Sequence, residues 1–403
     1  MSELRLRRLA NALSEKGVDI CLVTHTADIR WLTGFAGVFD EEQAHMALIA
    51  RGAGVGAGSN DGGSASLPVA PEPVLFTDTR YSAALRQLDT QKHWRILDER
   101  RPRSSYLAEV LTTEPLGTVL NTVASEGSLR AEPLRIGIEN DLPLNVWRAL
   151  SRALDERKGL AYELVELPAF ITGLRAVKDV EEIALLKAAQ IITDAAFTHM
   201  LDYLRPGITE REAATELEFF MRRSGAQSVA FPSIVASGPN SAVPHAVPGE
   251  RVLERGDFVL MDFGARLGDY RSDMTRTLVL GRASNQQRAM YAAALAAQTA
   301  VIDALRPGMS GREAQALADE VIAAHGFDGK LIHSLGHGVG IDIHELPVLA
   351  SKVEATLEVG HVVTVEPGVY IEGSGGVRIE DFGIITEHGF ENFTHSLHEL
   401  IEL

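Results

Sequence analysis

The stretch Val259–Thr277, VLMDFGARLGDYRSDMTRT, places two aspartates, Asp262 and Asp273, at the ends of what read as two short strands joined by a Gly-containing turn. The run FVLMD ending at Asp262 is apolar enough for a buried strand, and a carboxylate there needs a proton, a cation or a metal to be tolerated. Arg271 and Arg276 are candidate counter-ions within the same stretch. Two aspartates at this spacing do not by themselves separate a structural ion pair from a chemical site.

Working outward, the pattern repeats. LRPGITEREA at Leu204–Ala213 recurs as LRPGMSGREA at Leu305–Ala314. Each copy reads as a helix end, a Pro-Gly turn and a capping box, with Thr209 and Glu212 in the first and Ser310 and Glu313 in the second. GDFVLMDFG at Gly256–Gly264 matches GHVVTVEPG at Gly360–Gly368, which lays Asp262 on Glu366. Pro244-His245 falls against Ile343-His344 in the same alignment. The second part of the chain is therefore expected to be a duplication whose halves face each other across a pseudo-two-fold axis, with equivalent residues meeting there.

Upstream the reading is different. Leu4, Leu6, Leu9 and Leu13 line one side of an opening helix that stops at Gly17, and DICLVT, MALIA (Met46–Ala50), VLFTD (Val74–Asp78) and RIGIEN (Arg135–Asn140) read as strands. A helix near Pro143–Glu156 completes an α/β domain over residues 1–168. The Gly/Ser-rich interval at 51–72 holds no Gly-Lys-Ser/Thr and reads as an insertion between strands. Pro168 and Gly173 bracket the boundary, and an amphipathic helix follows with Leu185, Ala188, Ala189, Ile192, Ala195 and Ala196 on its apolar stripe.

Composition bounds the function. The 403 residues are 45% hydrophobic and 23% charged, which is globular, and the formal net charge of −17 speaks against nucleic-acid or anionic-membrane partners. The single cysteine, Cys21, lies in an apolar run and cannot form an internal disulfide, so a reducing compartment is expected. The charged N-terminus resembles no secretory signal, and no segment reaches the roughly 18 apolar residues of a membrane span. A cytoplasmic location is expected.

Four acids stand in or just after β-like runs: Asp262, Asp273, Glu366 and Glu380, the last in GGVRIED. Four carboxylates converging on one axis cannot all ionise without compensation, which two divalent cations would supply. His337 in SLGHGVG adds an imidazole, and the glycines at 336, 338 and 340 allow close approach of backbone or substrate. Carboxylates with one imidazole suit Mn²⁺, Co²⁺ or Zn²⁺, and a pair of ions would share bridging ligands and a hydroxide nucleophilic at neutral pH. Other chemistries fit less well: His344-Glu345 lacks the second His of a zincin helix, no G-x-S-x-G elbow is present, and GHGVG lacks the dinucleotide spacing. His333 reads as structural.

Taken in order, NSAVPHAVPGER, DFGARLGDYRSDMTRT, HSLGHGVGIDIHELP, TVEPGVYI and GVRIED resemble the prolidase and aminopeptidase P family of metallopeptidases, as do LRAVKDVEEI and the N-terminal DIRWLTGF and TDTRYS. The resemblance implies an α/β N-terminal domain (1–168) followed by an α+β pita-bread catalytic domain (169–403) with internal pseudo-two-fold duplication. It implies that Asp262 and Asp273 bind one metal, with Asp273 bridging, that His337 and Glu366 hold the other, and that Glu380 bridges both, with Mn²⁺ the expected ion. His245 and His344 would line the cleft and stabilise the tetrahedral intermediate, Glu366 would shuttle a proton, and Arg378 and Tyr270 would orient the ligands. The activity implied is hydrolysis of Xaa-Pro bonds in proline-containing peptides. An aminopeptidase is the first expectation, a dipeptidase (prolidase) the alternative, and an inactive pita-bread binding protein a remote third. A homodimer is also implied, with Trp31 or Phe35 near the partner's cleft.

Overall fold

The computed structural model describes residues 2–39, 45–51, 72–90, 93–98, 133–156 and 160–403. The insertion expected at 51–72 lies almost wholly outside them. The chain divides into two compact units, Met1–Leu174 and Arg175–Leu403.

The first unit is built on a six-stranded sheet in the order β4-β3-β2-β1-β5-β6, with β1 Ile20–Val23, β2 Met46–Ala50, β3 Val74–Phe76, β4 Arg95–Leu97, β5 Leu134–Ile138 and β6 Tyr162–Glu166. It is mixed: β1 pairs antiparallel with β2 and parallel with β5. β1 and β2 are buried throughout, as their unbroken apolar runs require. In the opening helix Ser2–Glu15, Leu6, Leu9, Ala10 and Leu13 are buried, but Leu4 is 60% exposed. The true stripe follows 6, 9, 10, 13, and Leu4 falls off it. Cys21 is buried. Trp31 is buried too, with the guanidiniums of Arg5 and Arg8 at 5.4 and 5.5 Å from its ring.

The second unit is the pita-bread fold, and its duplication is explicit. In the first half, β8 Ile234–Ser237, β9 Phe258–Phe263 and β12 Met274–Val279 form an antiparallel sheet in the order β12-β9-β8. In the second, β13 Gly336–Gly338, β15 Val362–Val365 and β18 Asp381–Thr386 repeat that order as β18-β15-β13, widened by β14 Glu345–Leu349 and β19 Gly389–Asn392. Each sheet is backed by two helices: Val180–Tyr203 with Glu210–Arg223, and Asn285–Ala304 with Gly311–Ala324. Each half has its own apolar core, and Phe258 of β9 and Val279 of β12 reach across into that of the second half.

The aspartate-bearing strands are not joined by a simple turn. β9 and β12 pair directly, and the residues between them form a hairpin, β10 Ala265–Leu267 and β11 Tyr270–Arg271, which joins the short β7 Ser228–Val229 in a separate sheet. Its turn, Gly268-Asp269, has positive φ at both residues (55° and 71°), the conformation that a two-residue hairpin prefers.

All four backing helices begin with a complete capping box: Asp179 with Glu182, Thr209 with Glu212, Ser284 with Gln287, and Ser310 with Glu313. The buried stripe of Val180–Tyr203 is rotated from the apolar one: Ala195 is exposed, while Glu182, Gln190 and Thr193 are buried. The cause is polar. Thr193 Oγ1 and Ser272 Oγ share a hydrogen bond of 2.7 Å, and Tyr270 donates to Glu182 Oε1 at 2.8 Å. Because the boxes at Thr209 and Ser310 are equivalent, Thr209→Ala and Ser310→Ala should each destabilise the second unit by about 1 kcal/mol. Urea titration followed by far-ultraviolet circular dichroism checks this, and a loss confined to one variant would contradict the equivalence.

Candidate active site

The duplicated strands bring the acids together. Asp262 lies near the end of β9 and Asp273 immediately precedes β12, with Asp262 opposite Thr275 in the register. In the second half Glu366 immediately follows β15 and Glu380 immediately precedes β18. Asp262 and Glu366 are thus counterparts, as are Asp273 and Glu380. His337, at the middle of β13, completes the group.

One ligand atom from each of Asp273, His337 and Glu380 lies within 4.8 Å of the others. His337 Nε2 is 3.3 Å from Glu366 Oε1 and 3.6 Å from Asp273 Oδ2. Its Nδ1 lies 3.0 Å from the Gly338 carbonyl. That acceptor places the ring proton on Nδ1 and leaves the Nε2 lone pair facing the carboxylates, the tautomer a metal needs. Each neighbouring carboxylate is aimed in turn. Thr275 Oγ1 donates to Glu380 at 2.7 Å, Thr364 Oγ1 to Glu366 at 3.2 Å, and Arg378 Nη2 to Asp262 Oδ2 at 2.6 Å.

Arg378 is the one guanidinium or ammonium among the described residues lining the cleft. It does not neutralise four acids. Burial raises the carboxyls of Asp262, Asp273 and Glu380, with mutual repulsion adding to the rise at Asp273 and Glu380. Burial, with Asp262 beside it, pushes Glu366 up to about 8. His337 goes the other way: burial and the adjacent His344 push it down to about 4, so its imidazole is neutral. Burial and His245 likewise lower His344.

This donor set fits divalent ions. Asp262 Oδ1 is buried with no hydrogen-bond partner, a polar atom that a cation would satisfy. Carboxylates and a neutral imidazole are the ligands that such ions prefer.

The acids form the floor of a cleft of about 550 Å³ whose walls include Phe231, Ile234, Val247 and Val348. His245 and His344 line it, as expected, and the His344 ring lies 4.3 Å from that of His337. Arg378 is also in place. Tyr270 is not: its ring is buried and its hydroxyl goes to Glu182, away from the cleft lining. The tyrosine that does reach the site is Tyr370. Its hydroxyl accepts from Arg378 Nη1 at 2.9 Å and lies 2.9 Å from His333 Nε2. His333 lines the cleft with burial holding it near 4, so the sequence reading of His333 as merely structural is incomplete. Tyr370 lies within the motif VEPGVY, and Thr275 and Thr364 stand on the ligand strands; their signal was position beside a ligand.

Arg276, one of the candidate counter-ions, pairs with an acid other than Asp262 or Asp273. Arg276 pairs with Asp381 at 2.7 Å, and Arg271 donates through Nε to the Ile341 carbonyl at 2.8 Å. The glycines of GHGVG are held against the protein itself. A Cβ on Gly336 would overlap the Thr364 carbonyl, on Gly338 the Leu346 carbonyl, and on Gly340 the Glu345 carboxylate. That carboxylate is buried between Arg175 and Lys178.

The family comparisons agree with this geometry. Residues 184–387 match the model of metallopeptidase family M24, and residues 5–177 that of the creatinase/prolidase N-terminal domain. A Xaa-Pro dipeptidase of Pyrococcus furiosus is 40% identical over 267 residues, covering 66% of this chain and 77% of the relative. Among solved structures, a Xaa-Pro dipeptidase from Bacillus anthracis superposes over 100% of both chains with a TM-score of 0.84 and 35% identity. An X-Pro aminopeptidase from Thermotoga maritima covers 96% of this chain and 98% of its own, with a TM-score of 0.78 and 28% identity. The chain belongs to metallopeptidase family M24, in the prolidase and aminopeptidase P group. It is a metallopeptidase.

Without metal, Glu366 holds its proton from the ordinary 4.5 up to about 8, so its contribution to stability is present at low pH and is lost as pH rises through that window. A divalent ion must displace that proton. Affinity for Mn²⁺ should therefore rise with pH, by as much as about tenfold per unit below pH 8, with proton release on binding. Calorimetry in buffers of different ionisation enthalpy measures both, and a pH-independent affinity from about 6 to 8 would contradict the assignment.

Proposed function

We propose that the protein is a dinuclear-metal Xaa-Pro dipeptidase. The observation that carries the metal reading is the buried cluster of four proton-hungry carboxylates facing the free Nε2 of a neutral His337. Asp262 and Asp273 would hold one ion, His337 and Glu366 a second, and Glu380 both, with Mn²⁺ the ion proposed. Such ions, when bound, polarise a carbonyl and lower the pKa of water.

The remaining steps belong to side chains. The peptide lies in the cleft with its scissile carbonyl over the acids, and the imidazoles of His245 and His344 donate to the substrate and to the oxyanion that develops. Glu366, its own proton displaced once the ions are held, takes the proton of the attacking water and passes it to the prolyl nitrogen as that bond breaks. Arg378 keeps Asp262 aimed while itself held by Tyr370 and Thr275. Residues 1–168 are the proposed N-terminal domain and 169–403 the catalytic one, acting as a cytoplasmic homodimer on proline-containing peptides.

The sequence put the aminopeptidase first. The names of the relatives support the dipeptidase instead. One observation favours the aminopeptidase as a second reading. Among the described cleft residues the sole guanidinium, Arg378, already donates to Asp262, Thr275, Tyr370 and the Pro244 carbonyl, which leaves no uncommitted cation there for a dipeptide's carboxylate.

Protein reconstituted with Mn²⁺ and given a matched Xaa-Pro dipeptide and Xaa-Pro-led tripeptide should cleave the dipeptide alone. Release of the first residue from the tripeptide would favour the aminopeptidase, and cleavage of neither would remove the proline specificity. Asp273→Asn and His337→Ala should each lower kcat/KM by at least about 100-fold with the far-ultraviolet circular dichroism unchanged. Full activity in either variant would refute the ligand set.

A further inference from the structure

We propose that the C-terminal segment Thr394–His398 is a strap that fixes Glu380 through Arg276 and Asp381, which makes Arg276 and His398 positioning residues for that carboxylate. This rests on the reading of Glu380 as a metal ligand.

Arg276 is buried behind the site, and all five of its N–H donors are spoken for. Nη1 donates to the Glu380 carbonyl at 2.6 Å and to the Thr275 carbonyl at 3.0 Å. Nη2 donates to Asp381 Oδ1 at 2.7 Å and to the Ser396 carbonyl at 2.9 Å, and Nε to the Leu397 carbonyl at 2.8 Å. Two donors therefore grip the backbone of the ligand strands, and two more are met only by the strap.

The strap has its own anchors. Asp194 accepts from the Ser396 amide at 3.1 Å, the Ser396 hydroxyl at 2.6 Å and the His395 amide at 3.2 Å. At the other end His398 Nε2 lies 2.6 Å from Asp381 Oδ2, which also accepts from Asn392 Nδ2 at 2.6 Å. Asp381 is fully buried, with Arg276 on one carboxylate oxygen and His398 on the other.

Glu380 is consequently held at every backbone point. Its carbonyl accepts from Arg276, its amide donates to the Thr275 carbonyl at 3.1 Å, and its Oε2 accepts from Thr275 Oγ1. A planar guanidinium that lost its strap partners would leave two buried donors unmet and would turn to recover them, carrying the Glu380 and Thr275 carbonyls with it. The carboxylate would then leave the position that it shares with Asp273 and His337.

His398 is the residue to change, because its side chain is 36% exposed and its loss opens no core cavity. Metal-stripped wild type, His398→Ala and His398→Gln are titrated with Co²⁺ by calorimetry, and the visible absorption of bound Co²⁺ is recorded. His398→Ala should weaken binding about tenfold and shift the Co²⁺ bands, and His398→Gln, which keeps an N–H donor, should recover most of both. Ser396→Ala, which loosens the strap from Asp194, should move both readouts in the same direction and stands in if His398→Ala does not fold. Wild-type affinity and spectrum in His398→Ala, whatever its melting temperature, would show a purely structural strap and overturn the proposal. A wild type that binds no Co²⁺ would instead bring down the metal reading, and this inference with it.

Discussion

Four carboxylates share one buried floor with a single guanidinium. In water this would be trivial; in a low-dielectric interior each added negative charge raises the cost of the next. Protons or cations must make up the difference, and the surrounding residues are arranged so that either can. Arg378 takes one side of Asp262, and threonine hydroxyls from the ligand strands take one oxygen each of Glu366 and Glu380. The remaining oxygens stay turned inward, the Asp262 Oδ1 atom without any partner.

The duplication makes that crowding possible. A single sheet ends its strands along one edge, whereas two matched sheets bring two strand ends to the same place from opposite sides. Asp262 and Glu366 come from equivalent strands, as do Asp273 and Glu380, so each half contributes the same pair. His337 has no ionisable counterpart, because β8 carries apolar residues and Ser237 where β13 carries the imidazole. Separate cores and paired capping boxes let each half stand as a unit while the shared floor ties them together.

Much of this was legible in the residues. The repeated LRPG and capping signals named two of the four helix starts, and the aligned strands paired Asp262 with Glu366, because both rest on local chemistry written at fixed spacing; Asp273, Glu380 and His337 were legible as acids beside β-like runs and an imidazole among glycines. What could not be read depended on partners distant in the chain. The stripe of Val180–Tyr203 turned because Thr193 and Glu182 bond to the hairpin at 270–272, and apolar periodicity carries no information about such bonds. Tyr270 lies just before Asp273 and Tyr370 just after Glu366, yet one bonds the helix-cap acid Glu182 and the other Arg378. Arg276 looked like a counter-ion for the aspartates near it in sequence, but its acid is Asp381, more than a hundred residues later.

The glycines of GHGVG carry a consequence for how such a protein changes over time. Three positions beside His337 have no room for even a methyl group, since backbone carbonyls and the Glu345 carboxylate occupy the space. Mutation there is closed off whatever advantage a new side chain would offer. The segment carrying Val247, which lines the cleft, is freer to drift, with Val243 and Val247 53% and 86% exposed. Lineages of this fold can therefore explore new peptide preferences through the Val247 segment, with the backbone beside the imidazole serving as the fixed die against which it is recut.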